Sequence, residues 1–470
     1  MKPMMPLQSA LHWLQHAQLV GDGHVAVQRV HTDTRTIAPG DLFVALAGEK
    51  FDANTLLHEA AAKGAAALIC KAGLVSGAYP AIPRVEVPDT AAALRALATG
   101  WRRVFSIPVI AVTGSNGKTT VTQMLASILN AHAPDGGSLA TQGNLNNEIG
   151  VPLTVLRLRV GQHIAAIEMG MNHPGEIATL AAIAQPTVAL VNNAQREHME
   201  FMKTVRAVAE ENGAVIAALP ASGVAVFPAD DEYTAVWQAL AGQRRQVTFS
   251  LDSHHGNDAL GCVAAHWVGG AWQVHAQGMK QDLQFTLRIA GRHNVKNALA
   301  AAACALAAGV SAQAVVQGLE AFEPVKGRSR ALALPVAGRM RTLVDDTYNA
   351  NPDSVRAAID VLAELPGPRL LVLGDMGEVG HEGPAFHAEA GRYAKARGIE
   401  RLFAMGAQAR LAADAFEQAR HFESVDDLNN AVLAELPHMS SLLVKGSRFM
   451  RMERVVDALR ASLPQEAPHV

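Results

Sequence analysis

The sequence predicts an α/β protein of three domains, and three observations carry that expectation. The chain has 470 residues, more than one core usually supports, and a prior of roughly 150 residues per domain points to about three units. From about residue 104 to 329, short apolar runs that end in polar or glycine-containing turns alternate with helical patterns, as in a doubly wound parallel sheet. The same alternation restarts beyond the basic, turn-rich run Pro324-Val325-Lys326-Gly327-Arg328-Ser329-Arg330, which reads as a hinge. The expected domains are 1–103, 104–329 and 330–470.

Composition narrows the class. With 49% hydrophobic and 18% charged residues the chain can bury a sizeable interior, and a formal net charge of −3 gives no electrostatic reason to expect nucleic acid or an anionic membrane as partner. Cys70, Cys262 and Cys304 are far apart and lack metal-ligand spacing, so they read as small core residues in a reducing cytoplasm. The first 15 residues do not make a secretory h-region. The most apolar helix pattern, residues 298–310, is too short to span a bilayer. A cytoplasmic protein without stable membrane insertion is expected.

Along the first section, Val30-His31-Thr32-Asp33-Thr34-Arg35-Thr36 leads through the turn Pro39-Gly40-Asp41 into the apolar run Leu42-Phe43-Val44-Ala45-Leu46. Thr34 and Arg35 beside that turn can hold an anionic group, although a loop arginine is more often simply solvated. The central section opens on Val109-Ile110-Ala111-Val112, an apolar strand that empties into Thr113-Gly114-Ser115-Asn116-Gly117-Lys118-Thr119-Thr120. This reads as a phosphate-binding loop. Its two glycines let successive N–H groups face phosphate oxygens at a helix N-terminus, with Lys118 meeting the β/γ-phosphates and the Thr119 hydroxyl meeting Mg²⁺. The strict spacing wants a further glycine where Val112 stands, so the loop is a shortened variant. A lysine in such a loop is expected to matter for activity and little for stability.

Two further strands end on polar residues. His163-Ile164-Ala165-Ala166-Ile167 ends on Glu168, and Thr187-Val188-Ala189-Leu190-Val191 ends on Asn192-Asn193, with His198 just beyond. Ligands of open α/β sheets gather outside the carboxyl ends of strands, so Lys118, Glu168 and His198 share one rim. Glu168 is a candidate carboxylate for Mg²⁺; His198 alone is a weaker candidate. Asn294 and Asn297 lie at i and i+3 near the start of an alanine-rich helix, where they either read a base edge or cap and decorate the helix. In the last section Arg341-Thr342-Leu343-Val344-Asp345-Asp346 reads as a strand. Asn351 then suits an N-cap and Pro352 the first helical position. Further strands are expected at residues 369–373, 402–405 and 442–444.

These motifs resemble the Mur ligase family of ATP-dependent amide-forming enzymes of peptidoglycan synthesis. The carriers are the loop 113–120, Glu168-Met169-Gly170-Met171-Asn172, His198 and Asn294-Val295-Lys296-Asn297. Within the family, Asp345-Asp346-Thr347-Tyr348-Asn349-Ala350-Asn351-Pro352-Asp353-Ser354 and Leu373-Gly374-Asp375-Met376-Gly377-Glu378-Val379-Gly380 are similar to the branch that adds D-alanyl-D-alanine to UDP-N-acetylmuramoyl-tripeptide. The resemblance implies an N-terminal uridine-nucleotide domain using Thr34 and Arg35, a central ATP domain, and a Rossmann-like C-terminal domain that closes on the nucleotide and dipeptide. It implies ATP and Mg²⁺ as cofactors, with Lys118, Glu168 and His198 catalytic and Thr119, Glu168 and His198 at the metal. ATP would be bound by residues 113–120, Asn294, Asn297, Asp346, Tyr348 and Asn349, and substrate by Thr34, Arg35, Asn144, Asn147 and Asn351. A monomer is expected. The segment Phe51-Asp52-Ala53-Asn54 replaces the family's glycine- and histidine-containing turn. No Asp-Asn-Pro-Arg block is present, which counts against the ligase that adds the third residue. A folylpolyglutamate-type ligase and a non-catalytic nucleotide switch are the rival readings.

The resemblance also marks a departure. Many family members carry a carbamylated lysine that helps hold a second Mg²⁺, on the helix after the His198 region. In Val208-Ala209-Glu210-Glu211-Asn212-Gly213 its place falls on Asn212. An amide cannot be carbamylated, although its carbonyl can still coordinate weakly or orient a metal-bound water. Activity is therefore expected to be indifferent to bicarbonate.

Overall fold

The computed structural model describes residues 3–48, 51–75, 77–252, 258–336 and 338–462. Among these residues three main sheets follow one another along the chain. The first has five strands in the order Gln18–Val20, Arg84–Val87, Ala67–Lys71, Asp41–Val44 and Arg29–His31, parallel except for the first pair. Asp41–Val44 is buried throughout, as expected of a strand covered on both faces.

The central sheet has nine strands. Its parallel part runs Ser138–Ala140, Ile164–Glu168, Val109–Thr113, Val188–Val191, Val224–Pro228, Arg245–Ser250 and Ala259–Val268. The hairpins through Ala271–Gly278 and Gln281–Leu287 extend it antiparallel. Val109–Thr113 lies between the strands that end on Glu168 and on Val191, so the chain leaves it at a point where the strand order reverses, the usual seat of a ligand. The helix Lys118–His132 covers one face through Val121, Met124, Leu125 and Ile128.

The third sheet has six strands in the order Arg330–Val336, Arg339–Asp346, Ser441–Lys445, Arg369–Gly374, Arg401–Met405 and Arg420–Phe422. All pairs but the first are parallel. The strands expected near 341–346, 369–373, 402–405 and 442–444 are present, whereas Arg330–Val336 and Arg420–Phe422 were not anticipated. Asn351 caps the helix Pro352–Glu364 in a reciprocal capping box with Ser354, and Pro352 stands in its first turn. Cys70, Cys262 and Cys304 are buried free thiols.

The two outer units join the centre in different ways. One apolar cluster runs without a break from Leu7, Leu42 and Leu97 of the first unit to Val109, Ile167 and Ile177 of the second. Arg102, buried at the same junction, donates to the carbonyls of Phe105, Ile107, Ala184 and Gln185. The core clusters of the third unit take in Ala290 as their one central residue. Most of its attachment is therefore polar.

Candidate active site

The loop after Val109–Thr113 has the geometry that its glycines demand. Gly114 has φ +127° and Gly117 has φ +84°, and a Cβ on Gly117 would lie 2.5 Å from Asn297 Oδ1. Both conformation and space therefore require glycine there. The helix begins at Lys118, whose Nζ donates to the carbonyls of Gly114 and Ser115 and, at 2.6 Å, to Glu197 Oε1. Thr119 Oγ1 donates to Glu168 Oε1 at 3.0 Å, and Asn146 Nδ2 donates to the same oxygen at 2.8 Å. Glu168 Oε2 is buried with no hydrogen-bond partner. An anionic oxygen in that condition suits a cation.

The segment after Val188–Val191 is laid along this loop. Asn193 accepts the Ser115 N–H with its carbonyl and the Asn116 N–H with its side chain. Gln195 Oε1 accepts from Asn116, and the Gln195 N–H donates to Ser115 Oγ. A chain of amides braces the other side: Asn297 Nδ2 donates to Asn294 Oδ1, and Asn192 Nδ2 donates to both Asn297 Oδ1 and the Asn116 carbonyl.

The third unit faces this loop across a cleft of about 1370 Å³ lined only by residues between Ser115 and Arg448. Asp346 accepts from Lys445 Nζ at 2.6 Å and from the Ser329 N–H, and the Asn349 carbonyl also accepts from Lys445. The Arg328 guanidinium lies 4.0 Å from the Tyr348 ring centroid. Among the contacts that reach across, Asn351 Nδ2 donates to Asn116 Oδ1 at 2.9 Å, and Glu378 Oε2 lies 2.7 Å from His198 Nδ1. The pairing with His198 pulls the Glu378 carboxyl below its ordinary range.

Most residues singled out from the sequence meet at the cleft, but Thr113 and Gly114, expected at the nucleotide, are not among those that line it and instead bond Asn212. Ser115 to Thr120, Asn144, Asn147, Glu168, His198, Asn294, Asn297, Asp346, Tyr348, Asn349 and Asn351 all line the cleft. Among these, Asn147 Oδ1 is spent on the N–H groups of Ile149 and Gly150, and the Asn294 amide donates to the Ala290 carbonyl. His198 has Glu378 and Glu197 as its ionic neighbours, whereas Glu168 bonds to Thr119 and Asn146. Thr34 and Arg35 lie outside the cleft. Thr34 is buried, its carbonyl accepting from Lys63, and Arg35 is exposed and paired with Asp33. Asp52 caps the short helix Ala53–Leu56, and Asn54 Oδ1 takes the Lys71 N–H.

Two expectations are corrected. Asn212 is buried, and its Oδ1 accepts from Thr113 Oγ1 at 2.6 Å and from the Gly114 N–H at 3.0 Å. Its carbonyl is thus committed to holding the loop rather than free for a metal or its water. Its neighbour Glu211 accepts the Gly175 and Ile177 N–H groups at the start of Glu176–Ala184. Lys118, expected to carry little stability, is largely buried and ion-paired with Glu197. Sequence reasoning passed over Asn146, Gln195, Arg196, Glu197, Arg328, Glu378 and Lys445. The only available signal was their position in polar turns at strand ends.

A phosphate-binding loop at a switch point of one α/β sheet, faced across a cleft by a second, defines a multidomain nucleotide-dependent enzyme. Residues 112–305 match the Mur ligase middle domain, and residues 334–448 match the Mur ligase, glutamate ligase domain. The UDP-N-acetylmuramoyl-tripeptide–D-alanyl-D-alanine ligase of Escherichia coli is 39% identical over 93% of this chain and 94% of its own length. The Haemophilus influenzae ligase of that name is 37% identical over 94% and 96%. Among solved structures, MurF from Acinetobacter baumannii superposes with a TM-score of 0.87 at 32% identity, covering 98% of this chain and 99% of that one. MurF ligase from Thermotoga maritima in complex with ADP gives 0.79 at 25% identity, covering 92% and 97%. The chain belongs to the Mur ligase family.

Proposed function

We infer that this enzyme joins D-alanyl-D-alanine to UDP-N-acetylmuramoyl-tripeptide with ATP as the energy source, in peptidoglycan synthesis. Supporting this are the near-full-length likeness to ligases of that name and, above all, one geometric observation. The loop carrying Lys118 and the block from Asp346 to Asn351 line opposite walls of one cleft and are joined through Asn116 and Asn351. The tripeptide carboxylate attacks the γ-phosphorus, the bond to the ADP oxygen breaks, and an acyl phosphate forms. The dipeptide amine then attacks the acyl carbon, loses its proton, and expels inorganic phosphate.

Phosphoryl transfer depends mostly on positioning and charge neutralisation. The loop amides and Lys118 would hold the phosphates, leaving Lys445 and Arg328 to steady the third unit over them. Thr119 and Glu168 fit Mg²⁺, given the unpartnered Glu168 Oε2. Among the described residues no group of three or more His, Cys, Asp or Glu could hold a metal by itself. That suits an ion that takes one or two protein ligands and otherwise phosphate oxygens and water. The ion would neutralise charge on the transferring phosphoryl group. Asn294 and Asn297 would serve chiefly by bracing Asn192 and the loop, while Thr34 and Arg35 would belong to the uridine end outside the cleft. Both walls come from one chain, so the working unit is read as a monomer. The need for ATP and a uridine-linked substrate places it in the cytoplasm, and among the described residues no helix is long and apolar enough to cross a membrane.

Phosphate release by the purified chain with ATP, UDP-N-acetylmuramoyl-tripeptide and D-alanyl-D-alanine tests the reading. Release should require both acceptors and yield the pentapeptide product. Release supported equally by glutamate or other single amino acids, or ATP-dependent closure without any amide product, would overturn it.

A further inference from the structure

From Asn193 to His198 the chain runs along the phosphate loop and turns at Arg196, where the Glu197 N–H donates to the Gln195 carbonyl at 2.8 Å, so that its side chains divide between two sides. Asn193, Gln195 and Glu197 face the phosphate loop, where they bond Asn116 and Lys118. Arg196 and His198 face the third unit. The Arg196 guanidinium donates Nε and Nη2 to Asp353, at 3.1 and 2.6 Å to Oδ1, and Nη1 to Glu389 at 2.8 Å, while its own N–H donates to Asp353 Oδ2. It also lies 5.1 Å from the Phe386 ring centroid. Glu389 takes a second cation, Arg356, at 3.0 Å. All these side chains are at least half-buried, and the two carboxylates and two guanidiniums balance in charge.

We propose that Arg196 is a positioning residue that couples docking of the third unit to the arrangement of the phosphate loop. The residues on either side of it hold that loop, so a force on Arg196 from the helices Pro352–Glu364 and Gly383–Ala396 reaches Asn116 and Lys118 through one peptide unit each way. The anchor is the kind that a separable interface needs. A continuous apolar core fixes the first unit, but the third is attached chiefly by hydrogen bonds and ion pairs, which water can replace when the units part. A bidentate arginine held by two carboxylates is among the stronger such contacts and fixes orientation as well as distance. When it is seated, Asn351 meets Asn116 and Glu378 meets His198, which completes the cleft. When it is not, the reactive acyl phosphate stands open to water.

The test uses the full chain with Arg196→Ala and Arg196→Lys. Without nucleotide, Arg196→Ala should scatter X-rays as a more extended particle than wild type. Its kcat should fall roughly tenfold with little change in the KM for ATP, and the phosphate released per amide formed should rise above one. Arg196→Lys, which keeps the charge but loses the fork, should lie between. Glu389→Gln, on an outer helix away from the loop, should show the same changes at a smaller size and serves if Arg196→Ala fails to fold. Wild-type scattering with wild-type coupling in folded Arg196→Ala, or in Glu389→Gln where the alanine variant does not fold, overturns the proposal. So does a fall in kcat with unchanged scattering and stoichiometry. The kinetic arm rests on the ligase reading. If wild type makes no amide with D-alanyl-D-alanine, that reading fails while the scattering arm still decides the role of Arg196.

Discussion

The side chains of Lys118 and Glu197 are 14% and 10% exposed, so neither ion is well solvated if the other is removed. Lys118→Ala is expected to abolish phosphate release and also to destabilise the protein by about 2 kcal/mol, because a charged hydrogen bond is lost and a carboxylate is left nearly alone. Adding Glu197→Gln to that variant should recover most of the stability and none of the activity. Thermal denaturation and phosphate release on the single and double variants check this. Asn212 makes a comparable case with a neutral group. Asn212→Ala strands the Thr113 hydroxyl and the Gly114 N–H, at a cost of about 1–3 kcal/mol, and should raise the KM for ATP. Glu168→Ala should cost more in kcat. Turnover after exhaustive CO₂ removal should not respond to added bicarbonate; rescue by bicarbonate would mean that a lysine elsewhere supplies a carbamate.

Asn351 serves a helix and a domain contact at once. Its Oδ1 accepts the Ser354 N–H at 2.8 Å while its Nδ2 donates to Asn116. Asn351→Asp retains the acceptor that caps the helix but has no amide hydrogen to offer across the cleft, whereas Asn351→Ala loses both. The aspartate variant should therefore keep its melting temperature and lose activity. The alanine variant should lose activity and, in addition, about 1 kcal/mol of stability. Equal melting temperatures for the two would show that the cap contributes nothing. The phosphate-loop element has less freedom still: at φ +84° with an amide oxygen 2.5 Å from the added carbon, Gly117→Ala is expected to lose nucleotide binding in a direct titration.

Across the molecule, stability should fall in mild acid, and the third unit carries one identifiable reason. His387 is fully buried, its Nε2 accepting the Met376 N–H at 2.9 Å and its Nδ1 donating to the Gly383 carbonyl. That arrangement needs a neutral ring, and burial lowers its pKa from the ordinary 6.5. An unfolded chain takes up a proton below that value where the native protein does not. The contribution is therefore complete above 6.5 and is lost as pH falls below it. Melting temperature measured from neutral pH downward should decline, and His387→Gln should flatten the decline while lowering the neutral value. Met376 belongs to the turn that carries Glu378 to His198, so activity in that variant should drop as well.

Local chemistry was enough to determine part of this protein. Gly114 and Gly117 before Lys118, Asn351 before Pro352, and apolar runs ending on Glu168 and Asn192 identified the phosphate loop, a helix start and one rim of a parallel sheet. Each depends on backbone conformation or on periodicity within a few residues. The half-exposed hairpins between Ala259 and Leu287 and the strand Arg330–Val336 were harder to read, because small and polar residues interrupt their alternation. Only the tertiary structure decided which polar groups meet. Glu197 on Lys118, Asn146 on Glu168, Asn212 on Gly114, and Arg196 between Asp353 and Glu389 join segments 22 to 193 residues apart. A hydrogen bond depends on distance and angle between side chains, and for residues on different elements those follow from how the sheets pack, not from any spacing along the chain.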